Sequence, residues 1–358
     1  MDTNINFQVN FKVGKSNNNL RSGAIKNVFL IEGGGTKGVY AIGVLRYLFG
    51  DNPYFNISDV ELFGGTSVGS YLATALSIGY NKDDIESIVK TTDIGSLIDS
   101  KYMFMVTLYR FATQGYLYDD TGRENIVKSI IGYKLDDINM NLGFDGDNKL
   151  RAEDLTFLHL RLLIQKFPNI YKHLLINAID INRNEEILIT TLEEKWDDFK
   201  LFDALLASSA IPFIFKPTVL YHNPGTDTYS YNKSEDSLSC STINNLVDGG
   251  TCMNNPLDYF LLNEEKYSDY KLWLLKFTSS PEYVSINGTF SLLKQLASYL
   301  ISGKNDIKME LIHEHYNINT INLHSKAGTL DIYTQDQIKK IIDDIYNQCL
   351  NKSLFFGN

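Results

Sequence analysis

Two short apolar runs, Val28–Ile31 and Val60–Phe63, each end in glycine and pass at once into an apolar pattern at helical spacing. Val39, Ile42, Val44, Leu45 and Leu48 follow the first run, and Val68, Tyr71, Leu72, Ala75 and Leu76 follow the second. A strand, a tight turn and a helix, repeated in tandem, constrain the chain to an α/β fold. The expected sheet is central and mainly parallel, flanked by helices, with ligand-facing groups at the carboxyl ends of its strands. The first turn, Gly33-Gly34-Gly35-Thr36-Lys37-Gly38, exposes backbone N–H groups at a helix start. The second, Gly65-Thr66-Ser67-Val68-Gly69, is a G-x-S-x-G elbow, which lifts a serine hydroxyl above the sheet.

With 358 residues, 44% of them hydrophobic, the chain can bury a sizeable core. Its net charge of −10 argues against a general nucleic-acid binder. Cys240, Cys252 and Cys349 lack metal-ligand spacing and imply no disulfide framework. The first 23 residues lack the apolar stretch of a signal peptide, and no run is apolar and long enough to span a bilayer. The expected location is the cytoplasm or a membrane periphery.

Along the chain, residues 1–25 read as a flexible arm with a short alternating piece at Phe7–Val13 that could form an edge strand. The catalytic unit is expected over 26–280, with an insertion or cap at about 93–155 and a C-terminal α/β extension over 281–358. Within the insertion, Tyr102–Phe111 is almost continuously aromatic and aliphatic. It fits either a buried helix or a cap with an apolar face toward lipid. Thr121 and Glu124 have the spacing of a capping box. Asp136–Asp154 is acidic without the order of a calcium loop, and reads as a solvated loop or hairpin. The small residues of Ala204–Ala210 suit a helix packed closely on the sheet. Residues 221–243 read as a long polar loop, followed by Leu246-Val247 and the turn Asp248-Gly249-Gly250.

A serine nucleophile at Ser67 needs a base and a place for the oxyanion. None of the six histidines follows a glycine-rich strand end, although His222 stays open. Asp248 does stand at such a strand end. A carboxylate is a weak base at its ordinary pKa of about 4, and burial beside an acyl pocket would strengthen it. The N–H groups of Gly34 and Gly35 can face an oxyanion, and Lys37 adds positive charge nearby. A nucleotide turn at Gly33–Gly38 lacks the Walker Lys-Ser/Thr pair and leaves the serine elbow without a role.

These motifs together resemble the patatin-like phospholipases, lipid acyl hydrolases with a Ser–Asp dyad. The resemblance covers roughly 26–280 and rests on four motifs in family order. They are Gly33–Gly38, Gly65–Gly69, Ala207-Ser208-Ser209-Ala210-Ile211-Pro212, and Asp248-Gly249-Gly250 with Asn254-Asn255-Pro256. It implies a three-layer fold with Ser67 as nucleophile, Asp248 as base, Gly34 and Gly35 as oxyanion donors, and no cofactor or metal. Lys37 stands where many members have arginine, which keeps the charge and loses the planar fork. The implied reaction is cleavage of fatty-acyl esters of phospholipids at a membrane surface through an acyl-enzyme. Regulation by an activator protein or ligand, and delivery into a host cell as an effector, are compatible with it. Two alternatives stand beside it: an acyl hydrolase or acyltransferase on neutral lipid or thioester, and a catalytically silent lipid-binding protein.

Overall fold

The computed structural model describes residues 7–12, 26–50, 57–91, 110–111, 113–230, 242–263, 266–267, 270–278, 283–302, 318–325 and 333–351. Most of the aromatic segment Tyr102–Phe111 therefore lies outside the described residues, as do His313 and His315.

A ten-stranded sheet runs through the molecule in the order β1-β10-β9-β2-β3-β4-β8-β6-β7, with β5 joined to β4. The strands are β1 (Phe7–Lys12), β2 (Lys26–Ile31), β3 (Val60–Gly65), β4 (His173–Asp180), β5 (Glu185–Thr190), β6 (Thr218–Asn223), β7 (Thr228–Ser230), β8 (Thr242–Asp248), β9 (Tyr270–Thr278) and β10 (Ile318–Ser325). The middle run β10-β9-β2-β3-β4 is parallel throughout, while β1, β5 and β8 pair antiparallel with their neighbours. The expected α/β architecture, a mainly parallel sheet flanked by helices, is the one observed.

Period-two alternation sends successive side chains to opposite faces. Phe29, Ile31, Phe63, Leu174, Ile176 and Leu275 enter the larger core. That core is covered by α1 (Gly38–Gly50), α2 (Val68–Ser77), α6 (Phe157–Lys166), α7 (Leu201–Ser208) and α10 (Gln335–Asn351), among others. Val28, Leu30, Leu62, Leu175 and Leu274 face a smaller core closed by Met253, Leu257, Tyr259, Phe260 and Tyr267. Almost every residue of α1 from Gly38 to Leu48 is buried, because α1 lies between the sheet and α10. This is why its sequence is apolar on all sides rather than striped.

Four local readings change. Helix α4 (Thr121–Tyr133) starts one residue earlier than its sequence suggests: Asp120 is the cap residue and no side chain closes a capping box there. A capping box forms instead at α6, where Thr156 and His159 satisfy one another's backbone N–H groups. The acidic stretch after Lys134 begins as a helix, α5 (Leu135–Leu142), stopped by Gly143 in a left-handed conformation at φ 80°. The polar stretch from 221 is in part a hairpin, with Tyr221, His222 and Asn223 of β6 opposite Ser230, Tyr229 and Thr228 of β7. Its strands alternate buried and exposed residues, so one polar face meets solvent at the sheet edge.

Both chain ends add to the same sheet. Phe7–Lys12 pairs along its whole length with β10, which in turn extends β9. Helix α10 sits on α1, where Arg46 pairs with Asp343 at 2.9 Å and covers the ring of Tyr346. The close approach depends on Gly43, where a Cβ would stand 2.8 Å from both the Ile342 carbonyl oxygen and the Ile345 Cβ. Gly43→Val should therefore push α10 off α1 and cost about 1–3 kcal/mol through overpacking, more than valine regains in helix propensity. Urea unfolding checks this, and an unchanged midpoint would show that α10 does not depend on that contact.

Candidate active site

Strand β3 ends at Gly65, and α2 begins at Val68, leaving two residues for the reversal. Ser67 takes up the turn at φ 54°, ψ −126°, a strained conformation for a residue with a side chain. The flanking glycines are dictated by close approach. A Cβ on Gly65 would meet the Gly69 carbonyl oxygen at 2.2 Å, and one on Gly69 would meet that of Ile31 at 2.2 Å. The elbow is pinned from two sides: Ser67 N–H donates to Ser208 Oγ at 3.0 Å, and Ser70 Oγ donates back to the Ser67 carbonyl.

The register of β4 brings Asp248 to this elbow. One edge of β4 is occupied by β5 from Leu175 to Asp180. On the other edge, Gly65 of β3 lies opposite Ile176, and Asp248 of β8 lies opposite Ala178. Strands β3 and β8 run in opposite directions and so end facing each other, two β4 residues apart, a gap of about 7 Å at the usual rise. Asn177 bridges the gap: its Oδ1 accepts from Thr66 Oγ1, and its Nδ2 donates to the Met253 carbonyl at 3.0 Å.

The Asp248 carboxyl is fully buried. Its Oδ1 accepts from the Gly250 N–H at 2.8 Å, while Oδ2 has no well-formed hydrogen bond among the described residues. Loss of water pushes its pKa up to about 7; the Ser67 hydroxyl, the Gly250 N–H and the Arg123 charge all pull the other way. The Ser67 hydroxyl is thus near enough to favour the carboxylate, without closing a short bond to Oδ2.

The glycine turn lies against the same elbow. A Cβ on Gly33 would stand 3.0 Å from Ser67 Cβ, and one on Gly38 would be 2.4 Å from Val68 Cγ2. Gly34 has φ −172° and Gly35 φ 56°, and neither N–H donates to an acceptor among the described residues. The turn is held by the chain after Asp248. Gly33 N–H donates to the Asn254 carbonyl at 3.1 Å, and Asn254 Nδ2 donates to the Gly33 carbonyl at 2.7 Å. Buried Glu32 accepts from Asn255 Nδ2 at 3.2 Å and from the Phe277 N–H at 3.1 Å. Lys37 is buried in the 3-10 turn Gly35–Lys37.

Sequence reasoning did not find Arg123. It is 1% exposed and donates to the Leu206 carbonyl at 2.7 Å, the Ser209 hydroxyl at 3.3 Å and the Lys216 carbonyl at 2.9 Å, and it pairs with Asp120. Its guanidinium thus holds the segment carrying Ser208, and its charge acts on Asp248. No motif marks it, since an arginine in a mixed helix normally faces water.

The described histidines are engaged elsewhere. His222 lies opposite Thr242, six residues back along β8 from Asp248, and bonds Arg183 at 2.8 Å and Asp227 at 3.1 Å. His159, His173 and His324 bond Thr156, Thr191 and Thr278. Among the described residues, no cluster of His, Cys, Asp and Glu has the arrangement of a metal site.

Comparison with known proteins places the chain in a family. The family model described as patatin-like phospholipase matches residues 29–261. An uncharacterized protein of Acanthamoeba polyphaga mimivirus is 49% identical over 334 residues, 93% of this chain and 90% of that protein. A second from the same virus is 28% identical over 211 residues, 58% of this chain and 60% of its own length. Among solved structures, VipD from Legionella pneumophila matches 96% of this chain and 70% of its own, with a TM-score of 0.50 at 14% identity. That last likeness is one of fold.

A buried carboxyl whose pKa rises on folding stabilises the fold while protonated, and that stability is lost as pH climbs through the folded value. Asp248 therefore costs stability above about pH 7, at most about 4 kcal/mol relative to an unfolded carboxyl near 3.9. Asp248→Asn should melt above the parent protein at pH 8, with the advantage shrinking as pH falls from about 7 toward about 4. Melting curves across that range check this, and a variant less stable at pH 8 would contradict it.

Proposed function

The chain belongs to the patatin-like phospholipase family, and from that membership and the placement of Ser67 beside Asp248 we propose that it hydrolyses fatty-acyl esters of phospholipids through a Ser67–Asp248 dyad. The observation that supports this most directly is the Asp248 carboxyl. It is buried, has one oxygen without a well-formed bond, has its pKa lifted to about 7, and is near the Ser67 hydroxyl. A base with a pKa near the working pH combines a large ionised fraction with useful proton affinity.

In this reading Asp248 takes the Ser67 proton as Oγ attacks the ester carbonyl. The Gly34 and Gly35 N–H groups, which meet no acceptor among the described residues, receive the developing oxyanion, and the adjoining helix start favours negative charge there. Lys37 adds a positive charge to the turn. Collapse of the tetrahedral intermediate returns the proton to the leaving alcohol and leaves the acyl group on Ser67. Water, deprotonated by Asp248, then releases the fatty acid and restores the serine. Arg123 and Ser208 position the partners and do not touch substrate. No helix among the described residues is long and apolar enough to cross a membrane. In the proposed reaction the phospholipid is met at a membrane surface.

The test is a panel of phospholipids, neutral lipids and acyl thioesters, with products identified by mass. Ser67→Ala and Asp248→Asn should each lower turnover by a factor of at least about 1,000 while remaining folded. For the parent protein, kcat/KM should rise roughly tenfold per pH unit below about 7 and level off above it, as the base ionises. An Asp248→Asn variant with more than a few per cent of parent turnover would remove Asp248 from the role of base.

A further inference from the structure

Helix α9 (Thr289–Ser302) lies against the turn Gly249–Thr251 that follows Asp248. It is anchored by Ala297, which is fully buried in a small core with Leu117, Ile211, Ile214 and Phe215. The last three of these follow directly on the segment that braces the serine elbow. There Ser208 Oγ accepts from the Ser67 N–H, and the Ala210 carbonyl accepts from the Asp248 N–H at 3.0 Å. The inner side of α9 is thus tied to the proposed catalytic centre.

Its outer side is apolar and bare. Leu292, Leu296 and Tyr299, at i, i+4 and i+7, share one stripe, and Leu296 and Tyr299 are 44% and 52% exposed. The polar residues Ser291, Lys294, Gln295 and Ser298 fall on a separate arc, so the apolar arc is wider than the part the protein covers. The chain leading into the helix continues the stripe, with Tyr283 95% exposed and Val284 and Ile286 exposed beside it. A run of large apolar side chains left in water in this way marks an interaction surface.

A second observation comes from the segment that anchors the helix. Phe213 is exposed and held at φ 67°, a conformation that a bulky side chain rarely adopts, while its carbonyl accepts from the Leu117 N–H at 3.1 Å. A strained backbone that keeps an aromatic ring in water points to function rather than packing. Charge then selects the partner. The chain carries 43 acidic residues, yet Tyr283–Ser302 contains none, and its one charged residue is Lys294. Exposed Lys216 follows Phe215 on the same segment. Phospholipid phosphates repel carboxylates and attract lysines, and tyrosine suits the headgroup level, with leucine and phenylalanine below it.

We propose that Phe213, Tyr283, Leu292, Leu296 and Tyr299 form a face that docks on a phospholipid surface beside Ser67. This deepens the hydrolase reading, and rests on it for lipid turnover but not for docking, which needs no chemistry.

The experiment sediments the full-length protein carrying Ser67→Ala, so that lipid stays intact, with vesicles of phosphatidylcholine and phosphatidylglycerol. Saturable binding is expected, and Leu296→Ser with Tyr299→Ser should weaken it at least about tenfold. Phe213→Gly should melt no lower than its parent, because glycine relaxes the backbone, and yet bind vesicles more weakly. Met140→Ser removes an equally bare side chain beside Lys172, at the amino end of β4, and should change nothing. With Ser67 restored, the Leu296→Ser, Tyr299→Ser protein should keep its turnover of a short soluble ester and lose turnover of vesicle lipid. Vesicle binding unchanged in the double variant or in Phe213→Gly, or weakened equally by Met140→Ser, would overturn the proposal. So would parent dimers that the double variant separates without loss of vesicle binding, which would make this face a contact between copies. A parent that docks through this face and cleaves no ester would remove the hydrolase reading and leave the docking surface standing.

Discussion

Everything at the candidate site depends on one strand having two claimants along a single edge. Strand β4 gives one edge to β5 from Leu175 to Asp180, so β3 and β8 must divide the other, and they arrive from opposite directions. Their carboxyl ends face each other there, with Ser67 two residues past the end of β3 and Asp248 the last residue of β8. A one-residue slip of either pairing would turn the arriving side chains to the other face of the sheet. The Asn177 side chain guards against this by bonding Thr66 on one side and the Met253 carbonyl on the other.

Around this junction the structure spends stability on chemistry. Ser67 holds a strained backbone, Asp248 loses its water, and Arg123 carries a charge in the interior. Each is tolerated because its neighbours are over-determined. Ser208 and Ser70 clamp the elbow, the Gly250 N–H steadies one carboxyl oxygen, and three carbonyl or hydroxyl oxygens surround the guanidinium. Removing one partner of such a set leaves a buried polar group unsatisfied, which costs more than the bond itself contributes.

The parts legible in the sequence are those imposed by short-range geometry. Gly65, Gly69 and Gly38 stand where backbone or a neighbouring side chain leaves no room for a Cβ, so the composition of these turns reports their shape. The alternation of β2, β3 and β4 likewise reports two apolar faces. What escaped depends on distant register. Arg123 sits in an ordinary-looking helix and becomes a buried anchor only because the chain near 206–216 folds over it, 83 or more residues away. Asn177 looks like a polar interruption in a strand until Thr66, 111 residues earlier, is placed beside it. The hairpin at β6 and β7 was hidden because an edge strand wetted on one face has the composition of a loop.

The glycine turn carries a consequence for how the molecule comes into being. Strand β2 is emitted early, yet its second neighbour is β9, with Lys26 opposite Tyr270. The Glu32 carboxylate beside the turn is bound by Asn255 and by the Phe277 backbone. Contacts of such long sequence separation close late, because the loop entropy must be met before they reward it. A growing chain can therefore build the serine elbow long before it can seat the turn that faces it. Residues as late as Phe277 of β9 thus help to seat the turn that faces Ser67, far from it in the chain.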